Sequence, residues 1–189
     1  IEKLRLTVGG RLDFSNTVGG GSNLFVEAGN DSTSGIGNTG VGFTNLVSLT
    51  SGSYNTAFGM QALSNLSSGS QNVSIGYLSM QLGTTCSGGT AIGTSSQRYI
   101  HNTATAWTNN NVSIGLESVR GNSATVATNT FNRNVGLGVR TLSDIQTGND
   151  NIAIGFQTAT LISTGSNNTI IGSNSGSTLT TASNNTIIG

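Results

Sequence analysis

Seven side chains in this chain of 189 residues carry the chemistry best suited to recognition: Arg98, Tyr99, His101, Trp107, Arg120, Phe131 and Arg133. They fall in two short stretches, about 98–107 and 120–133. The stretches hold the only Trp, the only His and three of the four arginines beyond residue 36. Tyr and Trp faces stack on sugar rings, and Arg grips carboxylates or phosphates in a bidentate fork. These seven are therefore candidate ligand-binding residues. A packing role is the alternative: Trp107 and Phe131 would close a thickened core, with the arginines solvating the bulge.

Other chemistries have less support. His101 has no second His and no suitably spaced Cys, so no metal site is expected. Glycoside hydrolysis needs two facing carboxylates. Glu117, Asp144 and Asp150 stand at three different registers of the repeat described below, and no pair is expected within one chain. One His among many serines defines no Ser-His-Asp order. No catalytic residue and no cofactor is assigned. The single cysteine, Cys86, excludes an intrachain disulfide framework and sits at a turn register, where a small-residue substitution is the simpler reading. Asn-x-Ser/Thr triplets such as Asn72-Val73-Ser74 lie inside the repeated phrase and are discounted as glycosylation sites.

The two stretches are insertions in a regular ruler. A five-residue phrase recurs nine times: Asn, then Thr/Val/Ile, a small or branched residue, a large apolar residue, and Gly. Its closing glycines are Gly42, Gly59, Gly76, Gly93, Gly115, Gly138, Gly155, Gly172 and Gly189. The steps between them are 17, 17, 17, 22, 23, 17, 17 and 17 residues. Self-similarity at a fixed short period means stacked units that cannot bury an apolar face alone. Seventeen residues are too few for a helical hairpin, and the Asn, Ser, Thr and Gly content disfavours helix. The unit suits one coil of a parallel β-solenoid, with two short strands and two turns.

Within the phrase, strand alternation puts the second and fourth positions on one face and the third on the other. The fourth position (Val41, Phe58, Ile75, Ile92, Ile114, Leu137, Ile154, Ile171, Ile188) is expected to be the buried column. The third is small in seven copies and lets a second surface approach. The glycine suits a bend that other residues resist. The Asn column can stack as an amide ladder, with Gly89 the exception. A second apolar column follows at Leu49, Leu66, Ile145, Ile162 and Leu179. A third, at Phe43, Met60, Tyr77, Leu116, Val139 and Phe156, is more surface than one thin roll covers. Burial between chains, most simply as a homotrimer, is the expected remedy.

Residues 1–35 lie outside the ruler and are read as an N-terminal β adaptor. Leu4, Leu6 and Val8 alternate with polar residues, Gly9-Gly10 turns the chain, and Arg11-Leu12-Asp13-Phe14 is the hairpin partner. Leu24-Phe25-Val26 is a further short strand. Residues 36–189 form the repeat region. Charged residues are only 7% of the chain and the formal net charge is zero. That balance argues against a general nucleic-acid or anionic-membrane binder. No apolar run approaches the roughly 20 residues of a membrane span, so no membrane insertion is expected. The chain starts on Ile1 and stops on a motif glycine, so it is read as a segment of something longer.

Phrases such as Asn72-Val73-Ser74-Ile75-Gly76 and Asn151-Ile152-Ala153-Ile154-Gly155 resemble the head repeats of trimeric autotransporter adhesins. The 17-residue unit, as in the run from Thr164 to Gly176, looks still more like repeats of bacteriophage tail fibres and contractile-injection-system fibres. The resemblance covers residues 38–189. It implies a homotrimeric extracellular fibre, on a virion or cell surface, that binds a host cell-surface glycan or protein receptor. Insertions in solenoids map to loops on one face, often the binding face, which places attachment at the two stretches. The alternative is a spacer shaft without a ligand. An ice-binding array would need the Thr39, Thr56, Thr90, Thr169 and Thr186 column, which Val73, Val112, Val135 and Ile152 interrupt. A polysaccharide depolymerase is the remaining, least supported reading.

Overall fold

The computed structural model describes residues 5–6, 12–13, 23–26, 29 and 33–189. The chain is all-β, a parallel β-solenoid with, among the described residues, one short 3₁₀ turn at Val126–Thr128. Nine of its strands are the middle three residues of the phrase: β4 (Thr39–Val41), β5 (Thr56–Phe58), β6 (Val73–Ile75), β8 (Thr90–Ile92), β10 (Val112–Ile114), β11 (Val135–Leu137), β12 (Ile152–Ile154), β13 (Thr169–Ile171) and β14 (Thr186–Ile188). They stack in parallel and in phase, so that Thr56 lies beside Thr39 and Val73 beside Thr56. With β3 (Leu24–Val26) they make one ten-stranded sheet. Parallel pairing follows from the topology, because each strand meets its neighbour only after a complete coil.

β3 joins this stack one coil before the ruler begins. Leu24 pairs with Thr39 and Val26 with Val41, although Leu24-Phe25-Val26 falls in the stretch read as adaptor. Ahead of it, β1 (Arg5–Leu6) pairs antiparallel with β2 (Leu12–Asp13), as the hairpin reading required. The remaining hairpin residues, Leu4, Val8, Gly9, Gly10, Arg11 and Phe14, lie outside the described residues.

Each regular coil has one strand rather than two. After its glycine the backbone turns through left-handed residues at fixed registers. Two and four residues past Gly59 these are Gln61 (φ 59°) and Leu63 (φ 50°), and past Gly138 they are Arg140 (56°) and Leu142 (48°). Side chains rarely adopt that region, at a cost of roughly 1–2 kcal/mol per residue. Coil-to-coil hydrogen bonds hold it in place: the Gln61 amide donates to the Phe43 carbonyl (3.0 Å) and the Leu63 amide to Ser79 (3.1 Å).

The core corrects the expected facing of the strands. The third position points inward: Ala57, Ser74, Ala91, Ser113 and Ala153 are fully buried. Opposite them stand large residues from the turns, Leu46, Leu63, Met80 and Leu142, with the second apolar column, Leu49, Leu66, Ile145 and Ile162, beside them. The close surface that the small column admits is thus the far wall of the same solenoid. A Cβ added to Gly136 would lie 2.5 Å from Val119 Cγ2. Where the third position grows to Ile170, the far wall shrinks to Gly176, whose added Cβ would come within 2.9 Å of Ile170 Cδ1. The second and fourth positions point outward. Phe58 is 56% exposed and Ile114 44%, where a buried column was expected. Alternation defines two faces but not which one is inside. The volume already supplied by the turn residues decides that.

The Asn ladder forms as expected. Each Asn side-chain oxygen accepts from the backbone N–H and the side-chain amide of the next Asn, as Asn38 does from Asn55 (2.9 and 3.0 Å). The same amide also donates to the carbonyl of the second-glycine register, for example Asn55 to Gly69 (2.9 Å). Cys86 supplies that carbonyl to Asn72, and Phe131 to Asn111. At Gly89 the missing rung is filled from just past the first insertion. The Asn109 side chain lies where a Gly89 side chain would stand, donates to Gln97 (2.8 Å) and accepts from Asn111. We expect Asn109→Ala to leave the Gln97 oxygen and one N–H of the Asn111 side-chain amide unpaired in a buried site. That should cost about 1–3 kcal/mol, read as a lower midpoint in chemical denaturation. Adding Gly89→Asn to Asn109→Ala should restore the rung, whereas Gly89→Asn alone should clash with the Asn109 side chain.

Candidate functional site

The two insertions lie side by side, because the Tyr99 amide donates to the Arg120 carbonyl (2.8 Å) and Asn129 donates to Tyr99 and Asn122. They do not bring the seven candidate residues to one place. The residues separate into three groups.

The first is an aromatic row that packs. Phe131 is fully buried, so it is part of the core rather than a contact surface. Trp107 meets it edge-on (ring centroids 6.3 Å, 80°) and is half-buried against the core. Its strand β9 (Trp107–Thr108) pairs in parallel with β7 (Cys86–Ser87), which returns the first insertion to the stack. Ile100 of the same insertion is also fully buried. His101 caps the row, tilted on Trp107 at 5.9 Å. Burial lowers its pKa, and Thr103 Oγ1 lies 3.0 Å from its Nε2. This group follows the packing alternative. Cys86, beneath the row, is fully buried, and burial pushes its thiol up to about 12, which makes it inert.

The second group is polar and half-exposed. The guanidinium groups of Arg98 and Arg120 lie 5.1 and 5.8 Å from the Tyr99 ring centroid. Arg98 Nε also donates to Gln81 (3.0 Å). Arg120 donates to Asp144 (3.1 Å) and stands 3.5 Å from Glu117, and Arg140 donates to Glu117 (2.7 Å). Glu117 and Asp144 therefore share one arginine, although their registers in the repeat gave no reason to pair them. Their meeting across neighbouring coils explains this: Arg120, five residues past its glycine, reaches Asp144, six past the next. The one legible signal was Glu117 and Arg140, which occupy the same register with opposite charge. A groove of about 370 Å³ opens here, lined by Glu117, Arg120, Arg140, Asp144, Ser143, Gln157 and Thr160.

The third is Arg133, apart from the others. It forks onto Asp150 (2.6 and 2.7 Å), which holds that carboxyl below its usual range. The pair is exposed and screened by water, so it contributes little to stability.

A larger feature runs the whole length of the stack. The second, fourth and sixth positions form an outward sheet face. Eleven of the fourteen exposed large apolar residues belong to it, including Phe43 (65% exposed), Phe58, Ile75, Tyr77, Ile114 and Phe156. No charged residue stands at these three positions in any of the nine copies.

Among the described residues no group of three His, Cys, Asp or Glu side chains could hold a metal ion, and no helix is long and apolar enough to cross a membrane. Comparison of the chain with protein-family models, with curated proteins and with solved structures finds no match.

Proposed function

We propose that the chain is a segment of an extracellular homotrimeric fibre, of phage tail-fibre or surface-adhesin type, whose insertions attach it to a cell-surface glycan or protein receptor. The charge-free outward sheet face carries this reading. Monomeric proteins rarely expose a continuous apolar surface of more than a few hundred Å². This one repeats at the strand spacing of about 4.8 Å over ten rungs. A partner that covers it in phase needs the same period along the same length, which a second copy of this chain has. Three copies packed face to face about one axis bury the face and leave the turns, with the insertions, outside. A binding rather than catalytic role is proposed, since arginines hold both Glu117 and Asp144.

The mass in solution tests the assembly: light scattering is expected to give three times the chain mass, and a stable monomer removes the proposal. Attachment is tested on the exposed group. Trp107→Ala is unsuitable, because that ring packs on the core. Arg98→Ala combined with Tyr99→Ala should lower cell binding at least about tenfold, the effect of losing 1.4 kcal/mol, with the melting profile retained. The spacer reading has one observation in its favour: the groove charges and Arg133 all have partners in their own chain. Cell binding that survives the double substitution supports the spacer.

A further inference from the structure

We infer that the groove at Arg120 is a binding site for a neutral, polyhydroxylated ligand, an uncharged oligosaccharide lying along the rod; this rests on the attachment reading above. Charge is scarce in the repeat region: from residue 36 onward there are seven charged side chains. Five of them, Arg98, Glu117, Arg120, Arg140 and Asp144, gather around this groove and the adjoining Tyr99. The other two, Arg133 and Asp150, pair with each other, and the remaining coils stack without charge, so the coils themselves do not require this cluster.

The charges around the groove cancel. Two arginines face two carboxylates, so the lining has zero formal charge. An anion would meet Glu117 and Asp144, and a cation would meet both arginines. What remains is unused hydrogen-bonding capacity. Arg140 uses its Nε on Glu117, and a guanidinium has five N–H donors. Arg120 donates through Nη2 to a single oxygen of Asp144. Each carboxylate accepts about four hydrogen bonds, more than the arginines fill. Donors and acceptors therefore alternate over short distances. A hydroxyl both donates and accepts, so a pair of neighbouring hydroxyls fits between a guanidinium and a carboxylate where a simple ion does not.

The site is also held in place. The Tyr99 ring, Glu117 and Asp144 fix Arg120 on three sides, so less side-chain freedom is lost when a ligand binds. The lining follows the coils: Glu117, Arg140 and Gln157 share one register on three successive coils, and Arg120, Ser143 and Thr160 share another. Two axial rows of polar groups match an extended chain of sugars better than one ring. Leu161, 46% exposed and in the register of Asp144 on the next coil, adds apolar surface of the kind that the C–H face of a sugar covers.

An array carrying neutral, sialylated and sulfated oligosaccharides tests this with the full chain. At least one neutral oligosaccharide should bind, with little dependence on added salt. Glu117→Gln and Arg140→Ala should each weaken that binding at least about tenfold, as loss of a charge-assisted hydrogen bond does. Ser48→Ala, on an exposed turn four coils from Glu117, should leave it unchanged. Circular dichroism melts establish that each variant is folded. Failure to bind any neutral oligosaccharide overturns the inference, as does salt-sensitive binding to acidic ones alone, or equal binding by all variants. Whole-cell binding separates this from the broader reading. Cells that retain both groove variants as well as wild type leave attachment standing and remove the groove. Cells that do not bind the wild-type chain remove attachment itself.

Discussion

Alanine at Gly138 is expected to abolish cooperative folding of the coils around it. Two independent terms act there. The backbone has φ 131°, a conformation glycine adopts freely and alanine does not. The added Cβ would also overlap the Gly155 carbonyl oxygen on the next coil. That obstacle is backbone, in a column where glycine lies on glycine from Gly42 to Gly189, so no side chain can swing aside. Strain of about 1–3 kcal/mol adds to at least as much for the forced separation of the coils. Total stability of a domain is commonly 5–15 kcal/mol, so one substitution removes a large share of it. In a stack each coil contacts only its neighbours, and the damage should cut the rod in two at this level rather than spread evenly. Hydrogen exchange should find protection lost around β11 and β12 in Gly138→Ala. Wild-type protection there would show that the coils are not held at this close approach.

The same column shows what the sequence made legible. A glycine every 17 residues, with Asn four places before it, fixed the period, the parallel stack and the ladder. The facing of the strands was not legible, because Thr-Ala-Phe reads equally well inside out. Phe58 faces solvent because Leu63 and Leu66, supplied by the turn, already fill the interior. Nothing in Leu63 itself announces a left-handed residue in the core; only stacked copies of the same turn make that conformation affordable. In the insertions, Trp107 and Phe131 attracted attention by residue type, yet both serve packing. Glu117 and Asp144 met across coils because Arg120, between their registers, reaches both. Asn109 was invisible as a ladder residue, since its role depends on the side chain that Gly89 lacks.

Glutamate at Ile114 is expected to give folded monomers in place of the proposed trimer. Ile114 is the fourth residue of its phrase, 44% exposed on the outward face, with its side chain directed away from the coil interior. Replacing it removes no core contact within its own chain, so the single solenoid should keep its β-sheet circular dichroism. Between copies the result differs. Each trimer would place three carboxylates in a face that has no charged residue to receive them. Burying one unpaired charge costs several kcal/mol, and three act together on one assembly. Protonation would only exchange part of that cost for the work of keeping the acid neutral. Light scattering should fall from three chain masses to one. Val47→Glu is the matched control: Val47 is 42% exposed but lies on the turn, outside the sheet face, and its substitution should leave the mass unchanged. A folded trimer that tolerates glutamate at Ile114 would mean that the copies meet elsewhere. The apolar face would then belong to a different partner, and the outward position of the insertions would lose its reason.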